Sequence, residues 1–228
     1  MDHYGVLAPK CNINWPPFYW DAVELTGAYA RVLKRTNEPK PAWNWTQSSK
    51  TDFEIFGRHL RCTTADEIRA QWYEVLAAGT KTMFWFFYRD EQIEECPEES
   101  TDIAPVLAAE LEPLKDILLD GDVPAEGTIV STEDELLHVT ATVAPHGIAI
   151  FVVNIDYTLN LVEPWTWTER TDVVLNFTPP AGFEPMTFYW IENDQWTELT
   201  AANAELNTWA VFLPPFSVAQ PILVVPEP

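Results

Sequence analysis

Pro41-Ala-Trp-Asn-Trp-Thr-Gln47 and Gly79-Thr-Lys-Thr-Met-Phe-Trp-Phe-Phe-Tyr88 decide the fold of this chain. Each is a short apolar, aromatic run that stops abruptly in polar residues, and a helical pattern separates them. A run that is apolar on both faces marks a parallel strand covered by helices. Consecutive strands of a β/α barrel read this way, with chemistry at their carboxyl ends. A barrel needs eight such strands, and the chain has room for about three before its pattern changes.

Outward from these runs, helices alternate with strands. Phe18–Arg35 is predicted helical: Ala22, Leu25, Ala28, Tyr29, Val32 and Leu33 recur at helical spacing, and Lys34 and Arg35 close the last turn. Pro39 and Pro41 stop it, and Ala42–Thr46 forms the first strand. After a polar loop over Ser48–Arg61, Thr64 and Glu67 have the spacing of a capping box. The helix they start carries Ile68, Trp72, Val75 and Leu76 on one face and ends at Gly79. The second strand is predicted over Thr82–Tyr88, the acidic stretch Asp90–Asp102 as a loop, and Ile103–Leu119 as one helix. The first residues, Met1–Ala8, read as the tail of a further strand. The order is that of a βαβ array.

Beyond Asp120-Gly121-Asp122 the apolar period changes from 3.6 to 2. Strands are predicted at Thr128–Thr132, Leu136–Val143, Ile148–Ile155, Asp172–Phe177, Met186–Ile191, Gln195–Leu199, Thr208–Leu213 and Ser217–Val225. Turn signals such as Pro145-His146-Gly147 and Pro214-Pro215 punctuate them, the pattern of an antiparallel sandwich. The expected fold is therefore α/β plus all-β: a partial β/α barrel of about three βα units over 1–120, then a β-sandwich over 121–228.

Charge divides at the same place. The 228 residues carry a net charge of -22. Residues 1–120 hold 20 acidic and 12 basic side chains, whereas Arg170 is the sole Lys or Arg of 121–228. Such acidity argues against nucleic acid or an anionic membrane as partner. No apolar run reaches the length of a membrane span, and the N-terminus lacks a signal-peptide pattern. Localisation stays open, with a secreted or periplasmic parent protein compatible. Cys11, Cys62 and Cys96 have no paired metal-ligand spacing, and neither do His3, His59, His138 and His146. No metal or cofactor is expected. Eleven tryptophans supply flat faces that suit sugar rings, or aromatic core.

These segments resemble, in order and spacing, the C-terminal part of a TIM-barrel glycoside hydrolase of the broad β-galactosidase-like kind. Asp2-His3-Tyr4 resembles the end of barrel strand six, Lys40–Gln47 strand seven, Thr63–Gln71 the start of the following helix, and Ala78–Tyr88 strand eight. Leu213–Val218 resembles the closing strand of the sandwich that many such enzymes append. The resemblance implies carbohydrate as partner. It also implies completion by an N-terminal half barrel, or self-association through an open barrel edge.

Glycosidases need two carboxyl groups flanking the scissile bond. The resemblance implies an acid/base at the end of strand four, upstream of the matched segments, and a nucleophile at the end of strand seven. At that second position stands Gln47, an amide that can hydrogen-bond a sugar hydroxyl but cannot attack an anomeric carbon. Catalytic residues are thus unassigned, and the chain alone is expected to be inactive although of glycoside hydrolase type. Tyr4, Trp45, Gln47, Trp85, Tyr88 and Asp90 are the expected substrate-binding residues. For Asp90 a solvated acidic loop is the plainer reading. Asn37-Glu38-Pro39 imitates a strand-four ending, yet it follows a helix and precedes a strand, on the face opposite the chemistry. In the sandwich, Trp165, Trp167, Trp190, Trp196 and Trp209 either form a carbohydrate-binding surface, making this a non-catalytic binding protein, or pack as core.

Overall fold

The computed structural model describes residues 22–37, 43–47, 63–86, 98–124, 129–158, 164–183, 186–192, 195–205 and 207–226. Helix α1 spans Ala22–Asn37. It outlasts its predicted end at Arg35 because Thr36 and Asn37 turn their side chains back onto the carbonyls of Val32 and Leu33. Strand β1 (Trp43–Gln47) pairs in parallel with β2 (Thr82–Phe86), from Trp43 beside Thr82 to Gln47 beside Phe86. Helix α2 (Ala65–Ala77) connects them. Its capping box is formed: Thr64 Oγ1 accepts from the Glu67 backbone at 3.3 Å, and Glu67 accepts from the Thr64 backbone at 2.8 Å. Gly79 follows the helix with φ of 85°, a conformation that favours glycine.

The third helical segment departs from expectation at both ends. It begins at Glu98, inside the stretch read as an acidic loop, and α3 stops at Leu111. A 3-10 turn over Glu112–Leu114 contains Pro113, which has no N–H to continue the ladder. Helix α4 (Lys115–Asp120) then resumes. One predicted helix is therefore two.

The following residues form two antiparallel sheets. The strands are β3 (Val130–Ser131), β4 (Leu137–Ala144), β5 (Gly147–Asn154), β8 (Val174–Phe177), β9 (Met186–Glu192), β10 (Gln195–Glu198), β11 (Ala201–Glu205), β12 (Thr208–Phe212) and β13 (Ala219–Pro226). The five-stranded sheet has the order β10-β9-β13-β5-β4, and the four-stranded sheet β11-β12-β8-β3. A separate ribbon joins β6 (Tyr157–Thr158) to β7 (Thr166–Trp167). Neither the ribbon nor β11 was expected. The sequence of β11, Ala-Ala-Asn-Ala-Glu, has no apolar alternation because it is an edge strand facing water, with a register shift between Asn203 and Glu205.

The sheets enclose one core, in which Ile148, Ile150, Val152, Phe188 and Trp190 face Leu175, Phe177 and Val211. Phe177 meets Phe188 edge to face at 5.3 Å. The other side of the five-stranded sheet is also buried. Ala149, Phe151, Val153 and Leu223 pack against Ile68, Tyr73 and Leu76 of α2 and against Leu107, Leu114 and Ile117. Strand β5 is consequently buried along its whole length. A continuous core thus crosses position 121, where the sequence pattern changes.

This packing corrects the one-sided reading of α2. The helix lies between the β1–β2 pair and the large sheet, and Glu67, Gln71 and Glu74 are buried along with its apolar residues. No helix among the described residues is long and apolar enough to cross a membrane.

Candidate functional site

The carboxyl ends of β1 and β2 are the expected place for chemistry. Their register sets Gln47 beside Phe86 and Trp45 beside Phe84. In the same register Thr46 lies beside Trp85. Gln47 is the last residue of β1. Tyr4, Tyr88 and Asp90 lie outside the described residues, as do His3, His59, Cys11, Cys62 and Cys96.

Chain direction marks the same end of the unit by other elements. Helix α1 ends at Asn37, shortly before the amino end of β1, so its first turn lies towards the strand carboxyl ends. Helix α2 starts after β1 and runs back to the amino end of β2, so its first turn lies there too. The ribbon from the sandwich reaches both first turns. Val23 donates its backbone N–H to Tyr157 Oη at 3.2 Å, and Trp165 donates its own to Glu67 Oε1 at 3.0 Å. Both satisfy donors that would otherwise be buried or orphaned at a helix start. Capping spacing reveals Glu67 in the sequence, but nothing local indicates that its other oxygen serves Trp165.

The ribbon is itself tightly held. Asn154 Nδ2 donates to the carbonyls of Thr168 (2.8 Å) and Ser217 (2.6 Å), and the Asn154 carbonyl accepts from Trp167 Nε1 at 3.1 Å. Arg170 pairs with Asp156 at 3.1 Å and with Asp134. The sole Lys or Arg of 121–228 therefore ties the ribbon to the turn before β4. Trp165 is 3% exposed and stacks on Tyr157 at 5.1 Å, with Trp167 tilted against both.

The five sandwich tryptophans do not make one surface. Trp165 and Trp190 are buried, Trp167 and Trp209 are half-buried, and Trp196 on edge strand β10 is 50% exposed. Trp196 lies 6.0 Å from the Tyr189 ring.

Among the described residues three carboxylates are fully buried, and hydrogen bonding accounts for each. Glu67 is the cap described above. Glu110 of α3 takes a two-point contact from Arg69, both distances 2.9 Å, and a hydrogen bond from the Tyr73 hydroxyl. Burial pushes the Tyr73 phenol well above its ordinary range, and the adjacent Glu110 carboxylate adds to the rise. Glu74 accepts from Arg31 at 3.5 Å and lies 3.1 Å from His138 Nδ1. Gly27 of α1 makes room for it, since a Cβ there would lie 1.9 Å from Glu74 Oε1. A cavity of about 250 Å³ adjoins this cluster, lined by Arg31, Glu74, Thr132, Asp134, His138 and Thr140 among others. These groups join α1, α2 and β4. Among the described residues no cluster of His, Cys, Asp or Glu could hold a metal ion.

No protein-family model and no curated protein matches the chain. Solved structures do. A cycloisomaltooligosaccharide glucanotransferase from Paenibacillus sp., complexed with cycloisomaltoheptaose, is similar with a TM-score of 0.52 and 11% identity. The match covers 72% of this chain and 28% of that one. An alpha-fucosidase from Thermotoga maritima in complex with fucose gives 0.44 at 11% identity, covering 83% of this chain and 41% of that one. A GH30 endoxylanase from Clostridium papyrosolvens C71 gives 0.40 at 12% identity, covering 80% and 42%. The first similarity carries a statement of fold alone: the chain is folded like part of that glucanotransferase. It spans little more than a quarter of that glucanotransferase.

Proposed function

We propose that this chain is the C-terminal portion of a carbohydrate-active enzyme of glycoside hydrolase type. In this reading 1–120 supplies about three βα units, strands six to eight of a barrel, and 121–228 is the appended sandwich. Carbohydrate binds at the strand carboxyl ends through Tyr4, Trp45, Gln47, Trp85, Tyr88 and Asp90. The observation that carries it is the parallel β1–α2–β2 unit docked through α2 on a two-sheet sandwich, in a chain whose fold is similar to part of the glucanotransferase.

The 228-residue chain is not catalytically competent alone, because Gln47 cannot act as a nucleophile. Completion of the barrel by further strands, or pairing of two copies through an open edge, belongs to the same proposal. The test is to incubate the purified chain with a panel of aryl glycosides and to titrate it with neutral oligosaccharides by calorimetry. Binding without turnover is expected; robust turnover overturns the assignment of inactivity.

A second reading, a non-catalytic carbohydrate-binding protein, is favoured by the exposed Trp196 beside Tyr189. Under it, Trp196→Ala abolishes oligosaccharide binding while Trp45→Ala leaves it intact. The first reading requires the reverse.

A further inference from the structure

We propose that the β6–β7 ribbon of the sandwich forms an outer binding platform for the distal units of a neutral oligosaccharide held at the β1–β2 strand ends. This rests on the carbohydrate reading above.

Position comes first. The ribbon belongs to the sandwich by sequence, yet Tyr157 touches the first turn of α1 and Trp165 the first turn of α2. Those turns lie towards the carboxyl ends of β1 and β2, so the ribbon is at the rim of the end where the strands would present substrate.

Chemistry comes second. Tyr157 and Trp167 are cross-strand partners on one face of the ribbon, and both remain partly open to solvent. Trp165 lies buried beside them and stacks on Tyr157. The polar tip of each open ring is engaged: Tyr157 Oη accepts from Val23, and Trp167 Nε1 donates to Asn154. The rings are therefore fixed before any ligand arrives, which removes most of the ordering cost of a stacking contact. Flat apolar rings with occupied polar tips suit the C–H face of a sugar better than a hydrogen-bonding headgroup. The chain's net charge of -22 disfavours uronic or sulfated chains.

Calorimetric titration of the full chain with neutral oligosaccharides of increasing length tests this. Wild-type affinity should rise with length, and Trp167→Leu, which keeps an apolar side chain at the core edge, should lose roughly tenfold for the longer chains. The disaccharide affinity should stay unchanged, and Trp167→Phe should restore most of the loss. Circular dichroism of each variant establishes that it is folded. Affinity that is flat with length in the wild type overturns the platform without the variants. So does a folded Trp167→Leu that binds long chains as the wild type does, or tighter binding of acidic oligosaccharides. Absence of any oligosaccharide binding overturns the carbohydrate reading itself, and the platform with it.

Discussion

Trp165 donates its backbone N–H to Glu67 Oε1 at 3.0 Å while the other oxygen of the same carboxylate accepts from Thr64 at 2.8 Å. One fully buried side chain thus starts a helix and anchors a ribbon from a segment some hundred residues away. Glu67→Ala should cost about 2–4 kcal/mol, the loss of a cap plus an unsatisfied buried donor. Thr64→Ala, which removes the cap alone, should cost about 1 kcal/mol. Urea unfolding of both variants measures the difference, and equal losses would refute the shared role of Glu67.

Arg69 and Glu110 form the second buried link, between α2 and α3. Glu110→Gln leaves Arg69 without its counter-charge and should destabilise by about 3–5 kcal/mol. Replacing both partners, as Arg69→Met with Glu110→Leu, should cost less than the single change, because it leaves no buried charge unpaired. Stability of the single and double variants decides this; a double variant worse than Glu110→Gln would count against it.

Tyr73 gives the fold an alkaline limit. Its folded-state phenol titrates well above its ordinary value, chiefly through burial. Its contribution is therefore fully present below the unfolded-state value of about 10 and is lost as pH rises from there through the folded value, since only the unfolded chain releases the proton. Denaturant midpoints at about pH 8 and about pH 11 should fall less in Tyr73→Phe than in the wild type. Parallel declines would show that other groups set the alkaline limit.

Gly27 is predicted to be intolerant of any side chain. A methyl group would overlap Glu74, whose carboxylate is held by Arg31 and sits against His138, so it cannot simply move aside. Gly27→Ala should cost about 1–3 kcal/mol by overpacking, despite alanine's better helix propensity. A variant as stable as the wild type in thermal melts would refute the close approach of α1 to α2.

Residues 121–228 expressed alone should be poorly soluble. Removing the helices bares Ala149, Phe151, Val153 and Leu223 on one sheet face. Size-exclusion chromatography and dye binding should report association and exposed apolar surface; a monomeric, non-binding sandwich would be the contrary result.

What was legible in the sequence follows from how local each cause is. The Thr64–Glu67 box and the Gly79 terminator depend on neighbours a few residues apart, and they read correctly, as did the two aromatic runs as a parallel pair, described over Trp43–Gln47 and Thr82–Phe86. Most strands of the sandwich read within a residue or two of their bounds because alternation shows which face is inward. Strand β11 did not, since it is an edge strand held by pairing with β12 and shows no apolar alternation. The break at Pro113 was overlooked because flanking leucines keep helical spacing across it. Nor could the sequence indicate that α2 is covered twice: periodicity reveals an apolar face, but a buried glutamate paired with a distant histidine or tryptophan looks like a solvated one. For the candidate site, the order of segments pointed to the strand ends, whereas the ribbon's approach to them depends on tertiary contacts alone.

The burial of α2 on both sides has a consequence for modularity. The change of sequence pattern near 121 suggests a place at which the sandwich could be exchanged. Here the graft boundary cannot be drawn at a linker, because the outward surface of α2 is already part of the sandwich. A folded chimera would have to carry Glu67, Arg69, Tyr73 and Glu74 along with the donor sandwich.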